Sequence, residues 1–111
     1  LFINFERLKV RTVQDVEDIR RHVANKLDRI GRKVYGIVNY DGFEIAPEVE
    51  DDYAAMVKGL ADAYYWNVTR YTTSGFLRLK LGEALQRRGL APHVYESSDE
   101  ALKNLREIEN G

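Results

Sequence analysis

Cysteine is absent from this chain of 111 residues, and proline occurs only twice. The lack of cysteine excludes disulfides, thiolate nucleophiles and thiolate-based zinc or iron–sulfur sites. The longest apolar runs are only a few residues long, and the first residues do not follow the basic-then-apolar plan of a signal peptide. The sequence therefore predicts neither a membrane span nor a membrane partner, and the cytoplasm is the expected compartment.

The residues that are present have the proportions of an ordered globule, with 44% apolar and 32% charged side chains. A chain of this length is expected to form one domain, 1–111, that buries roughly 65% of the surface its unfolded form exposes. Because the sequence begins at Leu1 and not at methionine, we expect it to be a domain of a larger protein.

Charge is nearly balanced overall, at −1, but the two signs lie in different segments. Segment 41–62 has seven acidic residues and one lysine, whereas segment 68–89 has five basic residues and one glutamate. Such a bipolar surface suits contact with a partner protein, whereas a nucleic-acid-binding domain is more often basic overall. Two solvated helix faces of opposite sign are the alternative interpretation.

Helical periodicity is clearest between Thr12 and Gly31. Apolar residues recur there at spacings of three and four, Thr12 and Asp15 form a variant of the capping box, and Gly31 is a natural helix end. Three further helices are predicted, from Pro47 to near Asn67, from Ser74 to Gly89, and from Ser98 onward. Runs of β-favouring residues predict strands at 1–5, 33–40, 68–73 and 93–97.

This alternation of strands and helices predicts a single α/β domain. Right-handed crossovers between consecutive strands produce a mainly parallel sheet. If all crossovers have the same hand, the four strands follow one another in sequence order across the sheet and the helices form a layer against it. The expected architecture is a four-turn β/α superhelix.

Three consecutive hydroxyl side chains, Thr72, Thr73 and Ser74, precede Gly75 at the predicted junction of the third strand and third helix. Backbone N–H groups at such a junction bind anions in α/β folds. A single glycine with no following lysine departs from the pattern of a phosphate-cradling loop. Helix capping by Thr73 or Ser74 is the favoured interpretation, and an anion or partner contact and phosphoacceptance stay open.

Titratable side chains offer weaker patterns. Asp41, Glu44 and Glu48 could form an acid/base set, or a metal site with His93, but carboxylates acquire such roles only when their surroundings shift their proton affinity. Because this segment is polar and turn-like, solvated acids are favoured. His22 and His93 have no partner at a metal-ligand spacing, so no catalytic or metal site is predicted.

Aromatic residues gather around the second helix and third strand. Tyr64, Tyr65 and Trp66 are consecutive and cannot all point inward from one helix end, so at least one ring is expected to be exposed. An aromatic partner-contact patch and a mixed core-and-rim role are both compatible with this pattern.

Four segments of the chain together resemble the C-terminal domain of bacterial acyl-CoA:acetate/3-ketoacid CoA-transferase-like proteins. They are "LFINFERLKVRTVQDVEDIRRHV", "VNYDGFEI", "MVKGLADAYYWNVTRYTTSGFLRLKLGEAL" and "APHVYESSDEAL". The resemblance covers nearly the whole chain. In these transferases a catalytic glutamate, often followed by Asn-Gly, lies in the main transferase fold. The Glu109-Asn110-Gly111 end of this chain follows a predicted helix with no surrounding pocket, so no catalytic residue is carried over.

The order of elements is also similar to STAS domains, which occur in anti-sigma-factor antagonists and sulfate transporters. A strand, an acid-rich turn and a helix follow "VYGIVNYDGF", and a short last strand precedes a Ser-Asp-Glu-Ala-Leu helix. STAS antagonists carry a phosphorylated Ser or Thr in the turn after the earlier strand. The equivalent turn here, 44–48, has no hydroxyl and two acids, so this resemblance does not imply a kinase-controlled switch.

These resemblances together imply an accessory or regulatory interaction domain. Its expected partner is the transferase domain of the same parent chain or another protein, with homo-oligomers formed through the parent. The partner-contact candidates are Glu48, Asp51, Tyr65, Trp66, Arg87 and Arg88. A freestanding STAS-like regulator is one alternative. Another is direct CoA binding by this domain, for which the candidates are Arg70, Thr72, Thr73, Ser74 and Arg78. If the domain does not bind CoA, CoA is expected only as a cofactor of the larger parent protein.

Overall fold

The computed structural model describes residues 1–90 and 93–110, without the side chains of 108–110. Gly111 of the Glu109-Asn110-Gly111 tripeptide lies outside the described residues. The strands are β1 (Phe2–Asn4), β2 (Lys9–Val10), β3 (Val34–Asn39), β4 (Glu44–Ile45) and β5 (Tyr65–Tyr71). The helices are α1 (Val13–Ile30), α2 (Glu50–Tyr64), α3 (Gly75–Arg87) and α4 (Ser98–Asn110), with a 3₁₀ turn at Pro47–Val49. The predicted α/β class is confirmed.

The main sheet has the strand order β1-β3-β5, and both neighbouring pairs are parallel. Ile37 in the central strand lies opposite Phe2 on one side and Thr69 on the other. The sequential order predicted for consecutive crossovers therefore holds for these three strands. It brings the carboxyl ends of all three strands to one edge of the sheet.

The segment predicted as a fourth strand, 93–97, contributes a single parallel bridge between Tyr95 and Tyr71. Tyr95 N–H donates to the Arg70 carbonyl at 2.8 Å, and Thr72 N–H donates to the Tyr95 carbonyl at 3.0 Å. Within the described residues the main sheet thus has three strands rather than four. Helix α4 begins at Ser98, which leaves too few extended residues for a longer ladder.

A second parallel pair, β2 with β4, was not predicted. It forms where the chains leaving β1 and β3 run side by side, and Glu44 N–H donates to the Leu8 carbonyl at 2.9 Å. Each of these strands has only two residues, which is too short for the alternation of side chains to show in the sequence.

Helix α1 has the predicted ends. Thr12 Oγ1 accepts from Asp15 N–H, and the Asp15 carboxylate accepts from the N–H groups of Arg11 and Thr12, which lower its pKa. Gly31 closes the helix in the left-handed region at φ 73°, a conformation that costs glycine little. Local signals alone therefore define this element.

Helix α2 ends at Tyr64, three residues before the predicted end near Asn67. Tyr65 is already extended, at φ −114° and ψ 139°, and pairs with Val34 in β3. Its ring lies over Gly36, where an added Cβ would approach the Tyr65 ring carbon Cε1 to 2.7 Å. An aromatic ring packed over a strand glycine stabilises the extended conformation, so the chain leaves α2 and joins the sheet at Tyr65. Helical periodicity in the sequence does not reveal this contact.

The main core lies among β1, β3, β5, α1, α2 and α3, and α4 packs against β5 and β3. Tyr40 and Tyr53 are 2% and 1% exposed at its centre, and their hydroxyls share a hydrogen bond of 2.6 Å. Burial raises the pKa of Tyr53 well above its usual value. The two phenols therefore satisfy each other within an apolar environment.

Replacing Tyr53 with Phe should destabilise the protein by about 1–3 kcal/mol, because it leaves the Tyr40 hydroxyl buried without a partner. The double variant Tyr40→Phe with Tyr53→Phe should lose less than the sum of the two single changes. Urea unfolding of all four proteins measures the coupling. Additive losses would show that the hydroxyl pair does not act as a unit.

Candidate interaction surface

The turn before α3 uses its hydroxyl groups internally. Ser74 Oγ accepts from Leu77 N–H at 3.2 Å and caps the helix. Thr73 instead donates to the Asp41 carboxylate, from its N–H at 2.7 Å and from its hydroxyl at 3.2 Å. Thr72 is fully buried, and its Oγ1 accepts from Ser74 N–H at 3.3 Å. Of the two predicted cap residues, Ser74 has this role and Thr73 ties the turn to the loop after β3.

The two arginines among the CoA-contact candidates lie apart. Arg78 donates to the Thr72 carbonyl at 2.9 Å and lies 3.6 Å from Glu96, so it closes the turn before α3 against the segment before α4. Arg70 is 4% exposed and lines a small pocket between the sheet and helices α1 and α2. The structure therefore brings Arg78 and the three hydroxyl residues together but not Arg70. The Asp41 carboxylate bonded to Thr73 adds negative charge to that turn.

Ser74→Ala should cost about 1 kcal/mol of stability, because it removes the cap of α3. Thr73→Ala should cost less, since the Thr73 N–H keeps its bond to Asp41. Chemical denaturation of the two single variants measures the difference. A larger loss for Thr73→Ala would assign the greater structural role to the contact with Asp41.

The acidic and basic segments meet inside the domain. Glu50 at the start of α2 lies 3.1 Å from Lys80 and 3.8 Å from Arg87 on α3, and both Glu50 and Lys80 side chains are about four-fifths buried. Arg87 also lies 3.5 Å from Asp51. The candidates Asp51 and Arg87 are thus partners of each other, whereas Glu48 and Arg88 are exposed. Opposite charge in the two segments holds α2 against α3.

Helix α3 exposes two large apolar side chains. Phe76 is 77% exposed and Leu79 is 65% exposed, while Leu77 and Leu81 on the inner side of the same helix are buried. Beside Phe76 runs a groove of about 430 Å³ between the first turns of α3 and the segment 42–45. We call Phe76, Leu79 and this groove the α3 surface. Sequence reasoning missed it because the predictions for this helix covered its ends and its basic charge and not the direction of its apolar side chains.

The consecutive aromatic residues occupy three environments. Tyr64 donates to Asp28 at 2.7 Å, Tyr65 is 7% exposed, and Trp66 is 65% exposed with Lys33 Nζ 5.1 Å from its ring centroid. The prediction that at least one ring is exposed is confirmed. Trp66 lies at the start of β5, whereas the α3 surface follows the end of that strand, so they are separate surfaces along the chain.

The titratable candidates are scattered. Asp41 bonds to Thr73, Glu44 and Glu48 are exposed, and the exposed His93 ring lies 4.3 Å from the Tyr95 ring, centroid to centroid. His22 is exposed on α1. Among the described side chains, those of 1–90 and 93–107, no group of three or more His, Asp or Glu residues is placed to hold a metal ion.

Tyr65 and Arg70 both line the small pocket between the sheet and helices α1 and α2, which has a volume of about 30 Å³ and almost wholly apolar walls. In the described residues, neither the Tyr65 hydroxyl nor Arg70 Nε has a hydrogen-bond partner. Burial raises the pKa of Tyr65 to about 12 despite the opposing effect of nearby Arg70. The phenol is therefore un-ionised at neutral pH.

A raised folded-state pKa means that the unfolded chain loses its proton first as pH rises. The stabilisation that comes from keeping Tyr65 neutral is present below pH 10 and falls away as pH rises to about 12. Tyr65→Phe should therefore lose less stability than the wild type across this interval. Urea midpoints measured at stepwise alkaline pH test this, and equal losses in the two proteins would contradict it.

Comparison of this chain with protein families, with curated proteins and with solved structures finds no match in any of the three. In the part of the chain that the structure describes, no helix has both the length and the apolar character needed to cross a bilayer.

Proposed function

We propose that this chain is a non-catalytic accessory domain with a STAS-like fold, and that it binds the transferase domain of a bacterial, cytoplasmic acyl-CoA:acetate/3-ketoacid CoA-transferase-like enzyme. The observation that carries the binding role is the outward position of Phe76 and Leu79 on α3. The resemblance of the four sequence segments supports the class of partner. The sequential order of parallel strands supports the STAS-like fold.

Contact at the α3 surface would be mainly apolar. Full burial of a Phe or Leu side chain contributes about 1.5–3 kcal/mol. The nearby cations Lys80 and Arg87 already have Glu50 as a partner in the same domain. Binding at this surface should therefore depend little on salt, whereas docking through unpaired charged segments would weaken strongly as salt rises.

The double variant Phe76→Ala with Leu79→Ala should weaken binding to a purified transferase of this class by at least about 10-fold, as expected when central apolar contacts are lost. Isothermal titration calorimetry at low and high salt measures the affinity. Val13→Ala is a matched control, because Val13 is 61% exposed on α1, and it should bind like the wild type. Circular dichroism confirms that each variant is folded.

Two outcomes would contradict the proposal: no binding by the wild type, or unchanged binding by the double variant. Trp66→Ala provides a second exposed-aromatic comparison, and loss of binding in this variant alone would move the contact to the start of β5. Titration with coenzyme A in place of the transferase tests direct CoA binding. We expect no heat at millimolar coenzyme A, because Thr73 and Ser74 are already engaged within the domain.

A freestanding regulator of another protein is the other alternative. Such a regulator would also bind through the α3 surface, but its partner would not be a transferase. Binding to an unrelated protein, lost in the Phe76 and Leu79 double variant, with no binding to the transferase, would favour it.

A further inference from the structure

One edge of the main sheet is open. Strand β1 pairs with β3 on one side, and no strand of the described residues pairs with it on the other, whereas the edge at β5 is bridged by Tyr95. Alternate residues of β1 bond to β3, beginning with the Leu1 carbonyl and ending with the Phe5 N–H. The main-chain N–H and carbonyl groups of Phe2 and Asn4 therefore point outward in the plane of the sheet.

A groove of about 420 Å³ runs along this open edge, between β1 and α1. Its lining is mainly apolar and includes four side chains that are only partly buried, those of Ile3, Phe5, Ile19 and Val23. Phe2 also lines the groove and is 52% exposed. Strand β1 is short, but it has neither the proline nor the charged side chains that protect many edge strands from pairing. The edge thus combines unpaired main-chain groups with apolar surface that water still reaches.

Helix α1 adds three polar side chains to the same groove, at intervals of four residues: Asp18, His22 and Lys26. Asp18 accepts from Arg21 and Gln14 through Oδ1 alone, and its Oδ2 has no partner among the described side chains. Lys26 forms no ion pair with the side chains of 1–90 and 93–107. The groove therefore has a carboxylate oxygen available at one end and an ammonium group at the other.

We propose that a second copy of this chain occupies the groove, in a two-fold symmetric dimer whose two β1 strands pair antiparallel. With Ile3 on the axis, Phe2 of one copy lies opposite Asn4 of the second copy. These two residues then exchange both main-chain hydrogen bonds, because antiparallel residues of this kind form a bonded pair. Pairing of this type extends the sheet across both domains and covers the apolar groove of each copy.

The charges along α1 favour a second copy over a strand of an unrelated protein. A two-fold contact requires a surface that is complementary to itself. His22 lies midway between Asp18 and Lys26, so an axis beside His22 places Asp18 of each copy opposite Lys26 of the other. These pairs of opposite charge fix the register and the partner, and the apolar groove contributes most of the affinity. The α3 surface takes no part in this contact, so the dimer is independent of the proposed transferase binding.

Sedimentation velocity of this chain tests the dimer. A contact of limited size is expected to have a micromolar Kd, so the mean mass should rise from monomer toward dimer between about 1 and 300 µM. Phe2→Pro should abolish the rise, because proline lacks the outward N–H and is tolerated in edge strands. Trp66→Ala is a control that alters an aromatic side chain 65% exposed elsewhere, and it should dimerise like the wild type. Circular dichroism verifies the fold of each variant.

Charge reversal tests the register of the two helices. Asp18→Lys and Lys26→Glu should each raise the dimer Kd by at least about 10-fold, because each change places like charges opposite one another. A mixture of the two variants should form a heterodimer with a Kd close to that of the wild type, since every pair across the axis is again of opposite sign. Lys103→Glu, which reverses an exposed charge on α4, should leave the Kd unchanged.

A monomer at every concentration would overturn the proposal and would leave the open edge to a strand of another protein. A dimer retained by Phe2→Pro but lost in the Phe76→Ala and Leu79→Ala double variant would also overturn it, because self-association would then belong to the α3 surface. If Phe2→Pro does not fold, the charge variants decide. A mixture that associates no more tightly than either variant alone would refute the antiparallel pairing.

Discussion

The packing of the Tyr65 ring over Gly36 is the contact on which much of the remaining structure depends. This contact ends α2 and starts β5. It lies beside a shift in the β3–β5 register, where Val34 pairs with Tyr65 and Tyr35 pairs with Asn67, so that Trp66 has no paired residue in β3. From this point the β3–β5 register follows, with Val38 opposite Arg70. A side chain larger than hydrogen at Gly36 would have to displace a buried ring, and core displacements of that kind typically cost about 1–3 kcal/mol.

Electrostatics gives the second constraint, and it acts within the domain. The start of α2 is acidic, the later turns of α3 are basic, and Glu50 bonds across to Lys80 with both side chains largely buried. Lys80 also donates to the Ile45 carbonyl at 2.8 Å, which links α3 to β4. A charge distribution that suggested an external partner therefore holds two helices together. In its first two turns α3 exposes the apolar side chains Phe76 and Leu79, which favours a different kind of contact from the one that the charge pattern indicated.

The turn before α3 and the buried arginine show how far sequence alone could identify sites. The Thr72–Gly75 pattern and the capping role of Ser74 could be predicted, because capping depends on residues three positions apart. The Asp41 contact of Thr73 could not, because these residues are 32 positions apart and meet only when β3 and β5 pair. Arg70 was recognised as a basic residue near this turn, but its burial depends on which face of β5 meets α2.

The sequence by itself determined the elements whose signals are local: helix α1 with its Thr12 cap and Gly31 end, the capped start of α3, and the α/β class from the alternation of strands and helices. Only the tertiary structure decided the elements that depend on distant partners. The short β2–β4 ladder, the reduction of the fourth strand to one bridge and the early end of α2 all require residues far apart in sequence to pair or pack. Residue propensity and apolar periodicity report on segments of a few helical turns. Strand pairing, the burial of charges and the exposure of apolar side chains depend instead on which faces meet in the folded domain.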